Sequence, residues 1–218
     1  MKATAVAAEP TSSARRVISR PGVSSSRTPG AWHGGRSSAG DGSPTSRRSG
    51  VRSRVVTTAS ELDKVVATMD SAMVVVTVAV EDERDGCLVG FHSQVSIEPR
   101  LYAVWLSRAN RTTALAQRAD HLAVHVLGRH QHELAELFGG EPGDRVDKLV
   151  HTTWEAGPAG VPLLAACPVR FAGRIVARQD IDGDHLGVVL EPLDAASETS
   201  WTPLRLGDAH DIDAGHPA

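Results

Sequence analysis

The chain has 218 residues, of which 41% are hydrophobic, and a formal net charge of −3. This is enough apolar material to bury the core of one domain of ordinary size. The longest apolar run, MVVVTVAV, stops at Glu81. It is far shorter than the about 18 residues of a membrane-spanning helix, which excludes a protein that spans the membrane with such helices.

The two cysteines, Cys87 and Cys167, lack the number and spacing of a disulfide framework or a structural zinc site. We therefore expect packed thiols in a reducing compartment, the cytoplasm.

The charge is divided unevenly along the chain. Residues 1–54 carry a net charge of +8 and are rich in Ser, Arg, Gly and Pro, whereas residues 55–218 carry −11. A basic segment of this kind is compatible with a nucleic-acid-binding arm or an organelle transit peptide. It lacks apolar periodicity, however, and cannot bury enough surface to offset the entropy lost on ordering. We predict a disordered tail over 1–54, one folded domain over 55–218 and no nucleic-acid partner.

The folded part begins with a helix and two strands. Ser60 is placed as an N-cap before apolar residues at helical spacing, which predicts a helix from Glu61 to about Met69. MVVVTVAV is a β-branched run that ends in an acidic turn and predicts a strand. The segment CLVGFHSQVSIEP continues as a second strand whose alternation is lost at Gly90. A glycine at such a position indicates a bulge or a place where a ligand lies against the backbone.

The rest of the chain continues with strands and short helices. A third, central strand is predicted over Leu101–Leu106, a helix starting near Asn110, and a fourth strand in HLAVHVLG. QHELAELFG predicts a helix that ends in a left-handed cap at Gly139 and Gly140. After this helix the sequence predicts one helical turn over 145–149, a hairpin around an Asp-Gly turn and a short strand near Leu204. Six or seven strands that do not alternate with helices predict a mainly β fold, an antiparallel barrel with short peripheral helices.

A cluster of polar residues at the start of the second helix is suited to an anion. Arg111 and Thr112 follow a strand and open a helix, where unsatisfied N–H groups favour negative charge. Ser107, Asn110 and Thr113 add hydroxyl and amide groups that can hydrogen-bond to a phosphate. The alternative is an ordinary cap on a solvated helix face, which uses the same residue types.

The loop around Gly90 suggests a flat ligand. Backbone N–H groups there, with Ser93, could meet the polar edge of a ring such as a flavin, whose other face must stay open for a nicotinamide. A bulge that only bends a barrel strand would have the same sequence.

The order of several segments resembles a known family. The chain contains, in order, GCLVGFHSQVSIEPR, NRTT, HLAVHVL, HELAELFGG, GVPLL and GDH, within a resemblance that spans roughly Leu62 to Leu206. This order is similar to that of the flavin reductase-like domain, the FMN-binding split barrel of many two-component monooxygenases. The resemblance implies a split β-barrel, FMN or FAD as cofactor, and NADH or NADPH as electron donor. It also implies a homodimer with the flavin at the subunit boundary and a flavin-dependent oxygenase as partner.

The resemblance also assigns the residues of the site. The implied cofactor-binding residues are Leu88, Val89, Gly90, Phe91, His92, Ser93, Ser107, Asn110, Arg111, Thr112 and His125. His185 in the GDH turn would lie near the open face of the flavin as the catalytic residue, or else would only bond the local backbone of its hairpin. Where the family has hydroxyl side chains in its first loop, this chain has Leu88, Gly90 and Phe91, so backbone amides or His92 must replace them. His125 stands where the family has a strand asparagine.

Two function hypotheses follow. The first is an NAD(P)H-dependent flavin reductase that passes a hydride from the nicotinamide to a bound FMN and supplies reduced flavin to a monooxygenase. The alternative is a split-barrel binding protein for a flavin, a deazaflavin or haem, which the missing loop hydroxyls favour. The ten histidines include no group at recognised metal-ligand spacing, so no metal site is predicted.

Overall fold

The computed structural model describes residues 59–215, so the predicted disordered tail over 1–54 lies outside the described residues. Helix α1 spans Ala59–Met69 and begins before Ser60, which was predicted as its N-cap. Its apolar stripe faces solvent, since Leu62, Val65 and Met69 are 58%, 53% and 69% exposed. No helix in this part of the chain is long and apolar enough to cross a membrane.

The main body is one antiparallel sheet of seven strands. The strands are β1 (Val74–Val80), β2 (Glu83–Val89), β3 (His92–Ser96), β4 (Leu101–Ser107), β5 (His121–Val126), β8 (Arg170–Asp180) and β9 (His185–Ala196). They are ordered β2-β1-β5-β8-β9-β4-β3, and every neighbouring pair is antiparallel. Helices α2 (Arg111–Ala116) and α3 (His132–Gly140) and a two-stranded sheet of β6 (Trp154–Ala156) and β7 (Pro162–Leu164) lie around it. The predicted mainly β, antiparallel architecture is confirmed.

The two edge strands of the sheet are consecutive in the chain. Gly90 and Phe91 are the only residues between β2 at one edge and β3 at the other. Such a short connection requires the sheet to curl until its edges approach each other, which makes it a barrel that is split between β2 and β3. The sequence predicted one continuous strand here, and the structure divides it at Gly90, where the alternation is lost.

Strand β1 is buried on both faces. Val74, Val76 and Val78 point into the barrel interior with residues of β4, β5 and β9, whereas Val75 packs with Phe138 of α3 in a second core. All of these side chains are at most 2% exposed. This double burial explains why the strand is a continuous β-branched run without polar alternation.

Some local predictions need correction. Helix α3 continues through Gly140, and neither Gly139 nor Gly140 has the positive φ of a left-handed cap. Gly139 instead makes room for side chains, because an added Cβ would lie 2.9 Å from Leu88 Cδ2. The predicted turn over 145–149 is a 3₁₀-helix at Lys148–His151, and the predicted strand near Leu204 consists of isolated bridges.

Candidate functional site

A cavity of about 240 Å³ lies where β2, the end of β4 and the start of α2 meet. We call it the inner cavity. Leu88, Ser107 and Asn110, all predicted cofactor contacts, are among its lining residues. The other lining residues are Met73, Phe138, Gly139, Leu206, Ala209, Ile212, Ala214 and Gly215. One end of the cavity is therefore polar and the remaining wall largely apolar, as in sites that hold a flat ring with a polar edge.

The polar end of the inner cavity comes from the turn between β4 and α2. Asn110 is the N-cap of α2 in an extended conformation, and its side chain makes no capping bond. The N–H of Ala109 donates to Ser107 Oγ at 3.3 Å, which leaves the Ser107 hydroxyl proton for another acceptor. Both side chains line the cavity, where the Ser107 hydroxyl can meet a ligand; the Asn110 side chain also hydrogen-bonds to the Cys87 thiol.

Arg111, the predicted phosphate ligand, is held by groups of the protein itself. Its Nη2 lies 3.0 Å from Glu83 Oε1, and its Nη1 donates to the carbonyl of Arg84 at 3.1 Å. Arg118 also donates to Glu83, and these bonds, that of Arg118 foremost, lower the pKa of the Glu83 carboxyl. A phosphate at Arg111 would therefore share the guanidinium with Glu83 and the Arg84 carbonyl.

Thr112 is fully buried and contributes to a charged cluster inside the protein. Its hydroxyl donates to Asp85 Oδ2 at 3.0 Å, and Lys148 Nζ lies 3.5 Å from Asp85 Oδ1. Asp85 and Lys148 are themselves 4% and 3% exposed. The neighbouring Cys87 thiol is enclosed as well, and burial raises its pKa to about 11. This cluster fixes α2 to β2, so the side chain of Thr112 is engaged in structure rather than open to a ligand.

His185 and Phe91 meet on the outer surface beside the inner cavity. Their ring centroids are 5.2 Å apart, and with Trp105, Ile181 and Asp184 they line a shallow cavity of about 350 Å³. We call Phe91, Trp105 and His185 the aromatic platform. Asp184 Oδ1 lies 2.7 Å from His185 Nδ1, and this bond lowers the pKa of Asp184. The pair holds the imidazole at the edge of the platform.

The platform and the inner cavity are joined by the pairing of β4 and β9. Ser107, at the polar end of the inner cavity, is the register partner of His185. Two positions along, Trp105 pairs with Gly187, and the indole ring lies against the glycine backbone. A predicted catalytic residue and a predicted cofactor contact therefore lie side by side.

Gly187→Ala is expected to disturb the platform. The added Cβ would lie 2.7 Å from Trp105 Cζ3, so the ring must move, and we expect a loss of about 1–3 kcal/mol in the free energy of unfolding. Urea unfolding measures this loss. The matched control is Gly183→Ala in the same hairpin, where the nearest atom to an added Cβ is 3.9 Å away. Equal stability of the two variants would contradict the packing described for Trp105.

Comparison with known proteins identifies the domain. The family model described as the flavin reductase like domain matches residues 65–206, which is more than half of the chain. The chain belongs to the flavin reductase-like family. No functionally curated protein matches it in sequence.

Solved structures share the fold of this flavin reductase-like domain. The FMN-binding protein from Thermus thermophilus with bound 1-cyclohex-2-enone has a TM-score of 0.56 and 24% identity over 60% of this chain and 72% of that one. A flavin reductase domain protein from Arthrobacter sp. has a TM-score of 0.60 and 20% identity over 67% and 89%. An NADH:FAD oxidoreductase from Streptomyces globisporus has a TM-score of 0.59 and 22% identity over 66% and 87%. At these identities the likeness establishes the shared split-barrel fold.

The other predicted contacts of the flavin reductase-like domain are not gathered at the inner cavity. Val89 is 4% exposed within the barrel core, and Ser93 is exposed on the edge strand β3. An added Cβ at Gly90 would come no closer than 3.5 Å to Met73, so the structure shows no tight approach that requires glycine there. Backbone groups of Val89–Ser93 could therefore reach a ligand only at the gap between β2 and β3, where the barrel is split.

His92 bridges the barrel split with both ring nitrogens. Nε2 lies 2.7 Å from the carbonyl oxygen of Ala72, and Nδ1 lies 2.5 Å from the hydroxyl of Tyr102. Because a carbonyl only accepts, Nε2 carries the proton and Tyr102 donates to Nδ1. His92 was predicted to replace a loop hydroxyl as a cofactor contact. Both of its ring nitrogens already have protein partners, so neither is left for a cofactor.

His125 is a core residue. It is fully buried, its Nδ1 lies 3.1 Å from the Val75 carbonyl, and the Leu164 N–H donates to its Nε2 at 3.1 Å. Burial lowers its pKa to about 4, so the ring is neutral. The prediction of His125 as a cofactor contact does not agree with this placement, because both nitrogens join β5 to β1 and β7.

Several residues around the site were not found from the sequence. Asp85 lies in the segment predicted as an acidic turn, and Lys148 in the predicted helical turn over 145–149, and neither pattern indicates a buried charge. The platform residue Trp105 was assigned only to a strand. The sequence around Asp85 carries no signal of its burial, since an acidic turn is ordinarily exposed. No group of potential metal ligands occurs within residues 59–215.

Proposed function

We propose that the protein is an NAD(P)H-dependent flavin reductase that uses FMN, with FAD as the alternative flavin. The observation that carries this proposal is the pairing of Ser107 with His185, which sets the polar end of the inner cavity beside the aromatic platform. A reductase needs two such neighbouring sites, one for the flavin and one for the nicotinamide. Family membership and the Streptomyces globisporus NADH:FAD oxidoreductase with the same fold support the proposal.

The residues at the site fit a flavin in chemical type. Ser107 and Asn110 offer hydrogen bonds at the polar end, while Leu88 and Met73 offer apolar walls. A bound flavin would supply the hydride acceptor for the nicotinamide, and the protein would supply position and shielding from water. His185, held by Asp184, would orient the nicotinamide against Phe91.

A homodimer and an oxygenase partner belong to the same proposal. Val95 and Ile97, at and just after edge strand β3, and Leu193 of β9 are 53%, 79% and 53% exposed. Exposed apolar side chains such as these and those of the α1 stripe are of the kind that become buried when proteins associate in water. We propose that a second copy covers these apolar side chains and that reduced flavin leaves for a flavin-dependent oxygenase.

Cys87 and Cys167 are free and buried, which suits the cytoplasmic location that we propose.

The test is an absorbance measurement with purified protein, FMN and NADH under anaerobic conditions. We expect the visible band of oxidised flavin to bleach at a catalytic rate. His185→Asn should lower that rate by at least about tenfold, since it removes a polar contact that is held by a charged group. The matched control is Asp180→Asn, an exposed carboxylate of the same hairpin that pairs with Arg108. Unchanged bleaching by His185→Asn would remove His185 from the mechanism.

A second candidate is a binding protein for a flavin, a deazaflavin or haem that does not reduce flavin for export. The hydrogen bonds of Arg111 with Glu83 and of Thr112 with Asp85 favour the haem form of this candidate, because two of the predicted phosphate contacts already have protein partners and haem carries no phosphate. Binding of FMN without bleaching by either NADH or NADPH would support this candidate and exclude the reductase.

A further inference from the structure

The C-terminal part of the described chain forms one wall of the inner cavity. Its residues Leu206, Ala209, Ile212, Ala214 and Gly215 line the cavity together with Ser107 and Asn110. The first part of this wall is firmly attached, because the N–H groups of Leu206 and Gly207 donate to Ser71 and Asp70 at 2.9 Å. The remainder, His210–Gly215, we call the C-terminal strap.

The strap lies on the glycines of α3. The Gly215 N–H donates to the Gly139 carbonyl at 3.0 Å, and a Cβ added at Gly215 would lie 2.5 Å from the carbonyl oxygen of Gly140. Ile212 packs on the same helix, since its Cγ2 lies 3.3 Å from where a Cβ of Gly139 would be. The close fit depends on glycine on both sides.

An ion pair closes the strap onto the start of α3. Asp211 Oδ1 lies 2.9 Å from His132 Nε2. The other titratable groups near this pair are Asp208 and His210, and, in the groove that Asp211 lines, Glu133, Glu136, Glu141 and Asp213. Arg129 pairs with Asp208 at 3.5 Å, so His132 is the cation that faces Asp211.

The inner cavity is small for the ligand that the proposed function requires. Its volume of about 240 Å³ is below the about 300–1,000 Å³ of ordinary ligand sites. The sheet and α3 are fixed by the two cores, whereas the strap is joined to α3 by one backbone bond, Ile212 and the His132–Asp211 pair. Its two other bonds, from the Ile212 N–H to the Ala209 carbonyl and between His210 Nδ1 and the Gly207 carbonyl, lie within the C-terminal segment and do not tie it to α3. The strap is therefore the wall that can yield.

We propose that the C-terminal strap is a lid over the inner cavity, latched by the His132–Asp211 ion pair, and that it must leave α3 before a flavin can enter. The identity of the ligand rests on the proposed function, but the motion does not. The hydrogen bond to Asp211 raises the pKa of His132, and the bond to His132 lowers the pKa of Asp211. The latch is thus complete in mildly acidic solution and is lost as the pH rises through the raised pKa of His132.

The test measures access to the cavity without any flavin. Ser107→Cys places a thiol on the cavity wall, and its reaction with the disulfide reagent DTNB reports opening. The native thiols give little background, because both are buried and their pKa values are raised to about 11. In this reporter protein, Gly215→Ala should speed labelling by about tenfold, since the added methyl group meets the backbone of α3.

The latch is tested by Asp211→Asn in the same reporter. At pH 6 labelling should be about threefold faster than in the reporter alone, and the two rates should converge at pH 8.5. Comparing variants at one pH cancels the ionisation of the thiol itself. Asp213→Asn, a neighbouring strap residue without an ion pair among the described residues, should leave the rate unchanged.

The outcomes separate the lid from the reductase. Equal labelling with and without Gly215→Ala would overturn the lid, whatever the flavin assay gives. Faster labelling with Gly215→Ala but no effect of Asp211→Asn would overturn the latch. Faster labelling of the Gly215→Ala reporter, together with native protein (Ser107 intact) that neither binds nor reduces FMN, would leave the lid standing and reject the proposed function.

Discussion

Replacing Lys148 with Met is expected to lower the free energy of unfolding by about 3–5 kcal/mol, the loss seen when one member of a buried ion pair is removed. The Lys148 and Asp85 side chains are 3% and 4% exposed, with Nζ 3.5 Å from Oδ1. Lys148 also donates to the carbonyl of Glu141 at 3.2 Å. Methionine retains the hydrophobic length of the side chain but leaves Asp85 buried without its cation, and the hydroxyl of Thr112 alone cannot compensate a carboxylate.

Urea unfolding of the variant and the parent protein measures this loss. The matched control is Lys64→Met, in which the same substitution is made on an exposed lysine that pairs with Glu61 on α1. Exposed pairs contribute at most about 1 kcal/mol, so this control should be close to the parent protein. Similar losses for the two variants would show that the Asp85–Lys148 pair is not shielded from water as described.

Acidification is expected to destabilise the protein through His125. The pKa of His125 is about 4 in the folded protein and 6.5 is its ordinary value, so the unfolded chain binds a proton that the folded protein excludes. The contribution of His125 to stability is complete above pH 6.5 and is lost as the pH falls to about 4. A difference of about 2.5 pKa units corresponds to about 3 kcal/mol.

The contribution of His125 can be separated from that of other groups with His125→Asn, which cannot be protonated. Glu83, Asp184 and Asp211 also have lowered pKa values, so acid weakens both proteins through them. The parent protein should lose about 3 kcal/mol more than the variant between pH 7 and pH 4, by urea unfolding at each pH. The control His132→Gln, which replaces an exposed histidine, should keep the extra acid-induced loss of stability seen in the parent protein. Parallel pH profiles for the parent and His125→Asn would mean that His125 is accessible to protons in the folded state.

Much of the fold could be predicted because local pattern and topology agree. The β-branched run at Val74–Val80 has few alternatives to a buried strand, and the Asp-Gly turn between β8 and β9 fixes a hairpin. The division at Gly90 was visible only as a loss of alternation. That β2 and β3 lie at opposite edges depends on five other strands, which no local pattern records.

The candidate site was predicted less completely, for physical reasons. Phe91, His185, Ser107 and Asn110 do come together, as the family order of segments implied. Arg111 and Thr112 have the residue types of a phosphate site, but their partners Glu83 and Asp85 come from a segment 27 or 28 positions earlier in the chain. A polar residue type indicates what a side chain can bind, whereas its actual partner is set by tertiary packing.

The buried cluster of Asp85, Thr112 and Lys148 also constrains how this chain can diverge. An added Cβ at Gly143 would meet the carboxylate of Asp85, so a fourth position depends on the same group. Replacing any one of these residues leaves a buried charge or polar group without its partner. A protein with one replacement is therefore less stable than the present protein or than one in which the whole cluster has been replaced. Among descendants of this sequence these four positions should change together or not at all, and such covariation would identify the cluster without a structure.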